Sequence, residues 1–245
     1  MKTHVIYETR GRANEYCELA ANLYRGCGHG CKYCYAPAAI KMKFDNFCNP
    51  CVRTDILKKF QRDAEYLRNI HEKRPILLSF TTDPYQPLDV KERLTRAAIQ
   101  ILHKNGLKVS ILTKGGKRSE RDFDLLSKNP KLSEYGVTLV FTDATLQKEI
   151  EPNAAMTEER IHTLKKAHDL GIYTYVSLEP VYDPEQSIDL INQTYEFVDF
   201  YKVGKLNHFK DYQNTINWSQ FKRDVIEKLR QCKKNYYIKT DLNKF

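Results

Sequence analysis

The 245-residue sequence contains no apolar run long enough to cross a bilayer, and its start lacks the basic, apolar and small-residue order of a signal peptide. A soluble, cytoplasmic chain with no membrane contact is therefore expected. No linker, low-complexity tract or internal repeat interrupts it. That leaves one domain over 1–245, with a core at about 20–206 and a C-terminal helix and short strand in 207–245. The glycine-rich fingerprint of dinucleotide-binding folds is missing too, which disfavours a flat doubly wound sheet. Charge of one sign is in excess: 40 Lys and Arg face 31 Asp and Glu, a net charge of +9. This balance suits a polyanionic partner such as nucleic acid, or an ordinary basic surface, because the basic residues are not gathered into one run.

Cysteine is unevenly placed. Three of the seven fall within eight residues, in Arg25-Gly-Cys27-Gly-His29-Gly-Cys31-Lys-Tyr33-Cys34-Tyr35. In a reducing compartment such a group reads as metal ligands or reactive thiols rather than disulfides. Gly26, Gly28 and Gly30 let the backbone wrap tightly around a bulky group, as in the nest of an iron–sulfur cluster. Cys-x3-Cys-x2-Cys offers three thiolates and no fourth, so a four-iron cube held here keeps one iron free of protein. Zinc is the alternative, with His29, Cys48 or Cys51 as the fourth ligand, and buried inert thiols are a further one.

Around this loop the chain alternates short apolar runs with amphipathic stretches. Leu19 to Tyr24 forms a strand leading into the loop, and residues 36–53 form an extension carrying Cys48 and Cys51. Thr54 caps a helix with Ile56, Leu57, Phe60, Ala64, Leu67 and Ile70 at helical spacing. Strands follow at 75–80, 108–113, 137–141, 173–178 and 198–203, with helices through Leu94 to Leu102, Phe123 to Leu126, Thr157 to Leu170, Ile188 to Ile191, and Trp218 to Leu229. Asp183-Pro184 caps the fourth of these, and Tyr236 to Lys239 makes a last strand. About six βα units with strands apolar on both faces predict an α/β fold, a partial (β/α)6 TIM-like barrel. Functional side chains then belong at the C-terminal strand ends, which are polar here.

The cysteine spacing, with Tyr33 just before the third thiol, resembles the signature of the radical S-adenosylmethionine superfamily. Tyr33 and Tyr35 around Cys34, Thr81-Thr82-Asp83-Pro84-Tyr85 and Leu94-Thr95-Arg96 are similar to the spore photoproduct lyase-like, or DNA-repair photolyase-like, branch, over about Asn22 to Leu206. The resemblance implies a [4Fe-4S] cluster on Cys27, Cys31 and Cys34, with S-adenosyl-L-methionine chelating the open iron. One-electron cleavage of the sulfonium then yields a 5′-deoxyadenosyl radical that abstracts hydrogen. It implies a cofactor pocket lined by Tyr33, Thr82, Lys114, Thr142, Ser177 and Leu178, with Lys114 on the methionine carboxylate. Asp83 and Glu179 join these as strand-end candidates. An electron donor such as flavodoxin or ferredoxin is implied as a partner, and a nucleic acid or nucleotide as the substrate. A peptide or small metabolite is the alternative substrate, and a non-catalytic zinc-stabilised binding module the alternative function. The sequence departs from spore photoproduct lyase at Phe80, where the hydrogen-donating cysteine aligns, and in an N-terminal part too short to grip a duplex. Tyr35 retains the pattern of a radical relay, and Cys48 and Cys51 are candidates for a replacement donor, a redox dithiol, or ligands of a second cluster with Cys17 or Cys232.

Overall fold

The computed structural model describes residues 5–207 and 215–245. The strands are β1 Ile6–Glu8, β2 Leu19–Ala21, β3 Tyr24–Arg25, β4 Cys51–Val52, β5 Ile76–Leu78, β6 Val109–Thr113, β7 Ser133–Thr138, β8 Tyr173–Leu178, β9 Phe200–Val203 and β10 Asn235–Ile238. Eight form one sheet in the order β1-β2-β5-β6-β7-β8-β9-β10. Only the β1–β2 pair is antiparallel, and every other neighbour runs parallel. This is the α/β, partial TIM-like barrel. The strands of its middle are buried on both faces, as in Ile76–Leu78, because helices cover the outside. Helix Ile56–Asn69 buries Ile56, Phe60, Ala64 and Leu67, and helix Leu94–Lys104 buries Leu94, Ala98, Ile99 and Leu102, each set at the spacing of one helical face.

Several elements differ from the sequence reading. β1 was not foreseen: three residues give too little alternation to signal a strand. β7 covers 133–138 rather than 137–141, because the polar and small residues Ser133, Glu134 and Gly136 pair with β6, and Glu134 and Gly136 also with β8, despite their low apolar content. Gly136 is required there, since a Cβ would lie 2.4 Å from the Tyr175 ring directly across the ladder. Thr54 is not the cap of the helix from Ile56. Asp55 holds that place at φ 53° without a side-chain capping bond. A helix, Pro87–Glu92, precedes Leu94–Lys104, and Arg93 at φ 53° breaks the two apart. Asp183 does cap its helix, accepting from the N–H groups of Glu185 and Gln186.

The barrel does not close by hydrogen-bonded strands, as β1 and β10 end the sheet. Side chains bridge the gap instead. Glu15, from the 3-10 turn Gly11–Glu15, accepts from Thr240 N–H and Oγ1 and from Tyr237 OH, and Arg12 pairs with Asp241 at 2.8 Å. Parallel strands share one direction, so the segments after β5, β6, β7, β8 and β9 emerge at one end, where the cysteine loop also lies.

Candidate metal and cofactor centre

The cysteine loop is tied off at its base. β3 and β4 pair antiparallel, Tyr24 with Val52 and Arg25 with Cys51, so residues 26–50 form a flap over the barrel end. Gly26, at φ 87°, lets the loop turn: a Cβ there would sit 2.5 Å from the Phe47 carbonyl, which accepts from Cys27 N–H at 2.9 Å. The loop is then pinned from outside. Lys32 N–H donates to Ile150 O (2.9 Å), Asn153 N–H to His29 O (3.2 Å), Asn153 Nδ2 to Gly28 O (3.1 Å), and Gly28 N–H to Gln86 Oε1 (2.8 Å).

Cys27, Cys31 and Cys34 face a cavity of about 270 Å³, and Tyr33, Tyr35, Cys48, Thr82, Asp83, Lys114 and Glu179 share its wall. Burial pushes the thiol of Cys27 well up, that of Cys31 to about 12 and that of Cys34 up as well. A soft metal group must therefore displace their protons. Among the described residues, no three His, Cys, Asp or Glu side chains converge on a single ion. Three thiols facing one cavity are the soft donors that an iron–sulfur group takes.

Two buried networks stand behind the thiols. His29 is buried inside the loop, and Arg118 Nη2 lies 2.8 Å from its Nε2. A guanidinium only donates, so Nε2 accepts and the Nδ1–H faces Asp83 Oδ2 at 3.5 Å. Burial lowers the His29 pKa to about 4 against the pull of Asp83, which keeps the ring neutral. Asp83 in turn accepts from Thr113 Oγ1 (2.6 Å), Lys114 N–H (2.7 Å) and Tyr85 N–H (2.8 Å). Burial works to raise its pKa, but His29 and these donors hold it below the ordinary carboxylate value. The second network is Glu151, which accepts from Tyr33 OH and from Arg160 Nη2. Arg160 is wholly buried and also donates to Ala155 O (2.7 Å) and Thr138 O (2.9 Å).

What remains uncommitted on the wall suits a polar ligand. Lys114 Nζ lies 5.5 Å from the Tyr33 ring centroid and is in no ion pair among the described residues. Burial works to lower its pKa, but Cys31 and Glu151 outweigh it and raise it. The hydroxyls of Ser79 and Thr82 are buried on the wall with no hydrogen-bond partner among the described residues. Buried orphan hydroxyls are costly, and a ligand with amino or hydroxyl groups would satisfy them. The donor set thus fits both an iron–sulfur group and a small polar organic cofactor.

Four sequence candidates are not on this wall. Thr142 gives its N–H (2.7 Å) and hydroxyl (3.3 Å) to Gln186 Oε1 of the following helix. Ser177 and Leu178 are buried within β8, and Cys51 is exposed on β4. Glu179 is on the wall but occupied, accepting from Tyr16 OH and Lys239 Nζ. Tyr35 donates to Phe80 O (3.0 Å), and the two rings meet at a 52° tilt with centroids 5.8 Å apart. Cys17 is packed elsewhere, with Ala20 and Leu77, its thiol 3.0 Å from Pro75 O at the opposite strand end, and Cys232 caps the helix Trp218–Gln231. Sequence reasoning missed Ser79, Gln86, Arg118, Glu151, Arg160 and Lys239. Gln86, Arg118, Glu151 and Lys239 each meet a partner far away in the chain, so no local spacing announces them.

The fold agrees with comparison to known proteins. Among solved structures, a spore photoproduct lyase bound to S-adenosylmethionine and a dinucleoside spore photoproduct superposes with TM-score 0.72 at 13% identity, covering 92% of this chain and 77% of that one. SuiB of Streptococcus suis bound to S-adenosylmethionine gives TM-score 0.68 at 14% identity, covering 89% of this chain and 49% of SuiB, so this chain spans about half its length. An uncharacterized protein of Methanocaldococcus jannaschii is 30% identical over 229 residues, 87% of this chain and 85% of that protein. No helix among the described residues is long and apolar enough to cross a membrane. Residues 21–198, which hold the cysteine loop and the strands β3 to β8, match the Radical SAM superfamily, and the chain belongs to that superfamily.

Proposed function

We propose that this protein is a radical S-adenosylmethionine enzyme whose Cys27, Cys31 and Cys34 hold a [4Fe-4S] cluster. The observation that carries the reading is the cavity wall, where three thiols, an ammonium without an ion pair and two orphan hydroxyls face one space. When bound, cluster and cofactor supply one-electron cleavage of the sulfonium and hydrogen abstraction from a substrate. The chain's own residues bind and orient. Lys114 takes the methionine carboxylate, and Ser79 and Thr82 take amino or ribose groups. Asp83, through Lys114 N–H and Thr113, fixes the end of β6, while Glu151 fixes Tyr33 beside Cys34. Burial of Cys27 and Cys31 keeps water from the thiolates. Cys48 adds a fourth thiol to the wall and Tyr35 an aromatic hydroxyl, and these two pass a hydrogen atom in this reading.

The substrate reading is a nucleic acid or nucleotide. Residues 25–62, the flap and the start of the helix after it, hold eight Lys and Arg against two Asp, +6 of the chain's net +9. Among these cations only Lys32 is in an ion pair, with Glu149, among the described residues. Much of the basic excess thus falls in one stretch of the chain, the flap and the helix after it, and it favours a polyanionic substrate or an acidic electron donor of the flavodoxin or ferredoxin kind. The test is anaerobic reconstitution with iron and sulfide, followed by dithionite and S-adenosylmethionine. 5′-Deoxyadenosine should form. A chain that takes up stoichiometric zinc and cleaves no cofactor would overturn the reading.

A further inference from the structure

Across the cavity from the cysteine loop the wall is built by the β9 end, the 3-10 turn Gly11–Glu15 and the segment after β10. Its carboxylates are all committed. Glu179 is held by Lys239 and Tyr16, Asp241 by Arg12 at 2.8 Å, and Glu15 by Thr240 and Tyr237. Among the described residues on this side, one cation is not committed. Lys205 Nζ lies 5.3 Å from the Trp218 ring and 4.9 Å from the Phe245 ring, and it has no carboxylate partner among the described residues. The backbone brings it there for a steric reason: Gly204 passes so close to Glu179 that a Cβ would lie 2.6 Å from its carboxyl carbon. Two aromatic faces hold an ammonium in place but leave its charge available. Among the described residues the wall therefore carries two lysines in no ion pair, Lys114 at the β6 end and Lys205 at the β9 end.

We infer that Lys205 is the anchoring site for an anionic group of the substrate, a phosphate or a carboxylate. This rests on the function proposed above, in which Lys114 serves the cofactor. With the cofactor bound on the β6 side, the charge at the β9 end remains for the second reactant. A cation clamped between two rings keeps little side-chain freedom, so pairing with an anion costs less ordering entropy than at a free surface lysine. An ammonium does not fork onto one anion geometry as a guanidinium does, so it accepts either class.

The test measures binding to the reconstituted, S-adenosylmethionine-loaded protein of two probes, a 5′-phosphorylated thymidine dinucleotide and an N-acetylated dipeptide with a free carboxylate. Lys205→Met keeps the stem over the rings and removes the charge, and Lys104→Met at the end of helix Leu94–Lys104 is the control. At least a tenfold weaker affinity for one probe in Lys205→Met, with Lys205→Arg retaining most of it and the control unaltered, supports the anchor. The probe affected names its chemistry. Acetylation of the wild-type chain provides a second reading that needs no variant, since bound probe should protect Lys205 from the reagent. Equal affinities in wild type and Lys205→Met, binding of neither probe, or no protection of Lys205 would each overturn the anchor. A wild-type chain that forms no 5′-deoxyadenosine overturns the underlying function instead, whatever the probes do.

Discussion

The two ends of the sheet use the same pair of residues to opposite effect. At the end where β2 and β5 begin, Arg74 gathers Glu18 (3.0 Å), Glu72 (2.7 Å) and Glu8 (3.4 Å) in a half-exposed cluster that joins β1, β2 and β5. At the end where the strands finish, Arg160 and Glu151 form a pair with both side chains wholly buried, next to Tyr33 and the thiols. Water screens the first pair and is absent from the second. The exposed cluster can therefore only trim stability, whereas the buried pair holds the cysteine loop in place and leaves a stranded charge if either partner goes.

Four measurements sharpen or break this contrast. The largest effect belongs to the thiols: replacing any one of Cys27, Cys31 or Cys34 by Ala should reduce 5′-deoxyadenosine formation below detection and lower bound iron. Next is Glu151→Gln, which strands the Arg160 charge. It should lose about 3–5 kcal/mol in a denaturant titration, a fall of roughly 6–20 °C in Tm for a chain of this size. A loss under about 1 kcal/mol would show that the two ends do not differ. Lys114→Met comes third, with affinity for S-adenosylmethionine expected to drop about 10- to 100-fold, the range of one hydrogen bond to a charged group. Equilibrium dialysis reads it, and an unaltered affinity would remove Lys114 from the cofactor's binding groups.

The smallest effect lies at the far end. Arg74→Met should cost no more than about 1 kcal/mol at pH 7. Hydrogen bonding from Arg74 holds the Glu72 pKa down to about 2 in the folded chain, from an ordinary 4.5. A carboxylate with a depressed folded pKa contributes stability that is complete above the unfolded value and lost as pH falls through the folded one. The difference between wild type and Arg74→Met should therefore be constant above about pH 5 and fade toward pH 2. A difference that grows on acidification would contradict the pairing.

Much of the fold was legible because burial on both faces writes itself as unbroken apolar runs. Residues 76–78 are such a run, and 109–113, 173–178 and 200–203 are apolar apart from Ser110, Thr113, Thr174, Ser177 and Lys202; all are strands. β7 was misplaced where Gly136 yields its space to Tyr175, a cross-strand fact that no window on one strand contains. In the site, the thiols and the strand-end Thr82, Asp83 and Lys114 stood out by spacing and position. Thr142 looked equivalent until Gln186, 44 residues on, took its donors.

By itself the sequence determined the chemistry on offer: three thiols at fixed spacing in a glycine-loosened loop, and the strand–helix alternation that sends polar residues to one end. Local patterning suffices for these because they depend on neighbours in the chain. Only the tertiary structure decided which polar groups are spent and which are left over. His29 is held by Arg118 and Asp83, and Tyr33 and Arg160 by Glu151, while Ser79, Thr82, Lys114 and Lys205 remain available. The physical reason is that a side chain's partner is set by which strands lie side by side, and pairs as distant in the chain as His29 with Arg118 and Tyr33 with Glu151 meet only once the barrel has formed.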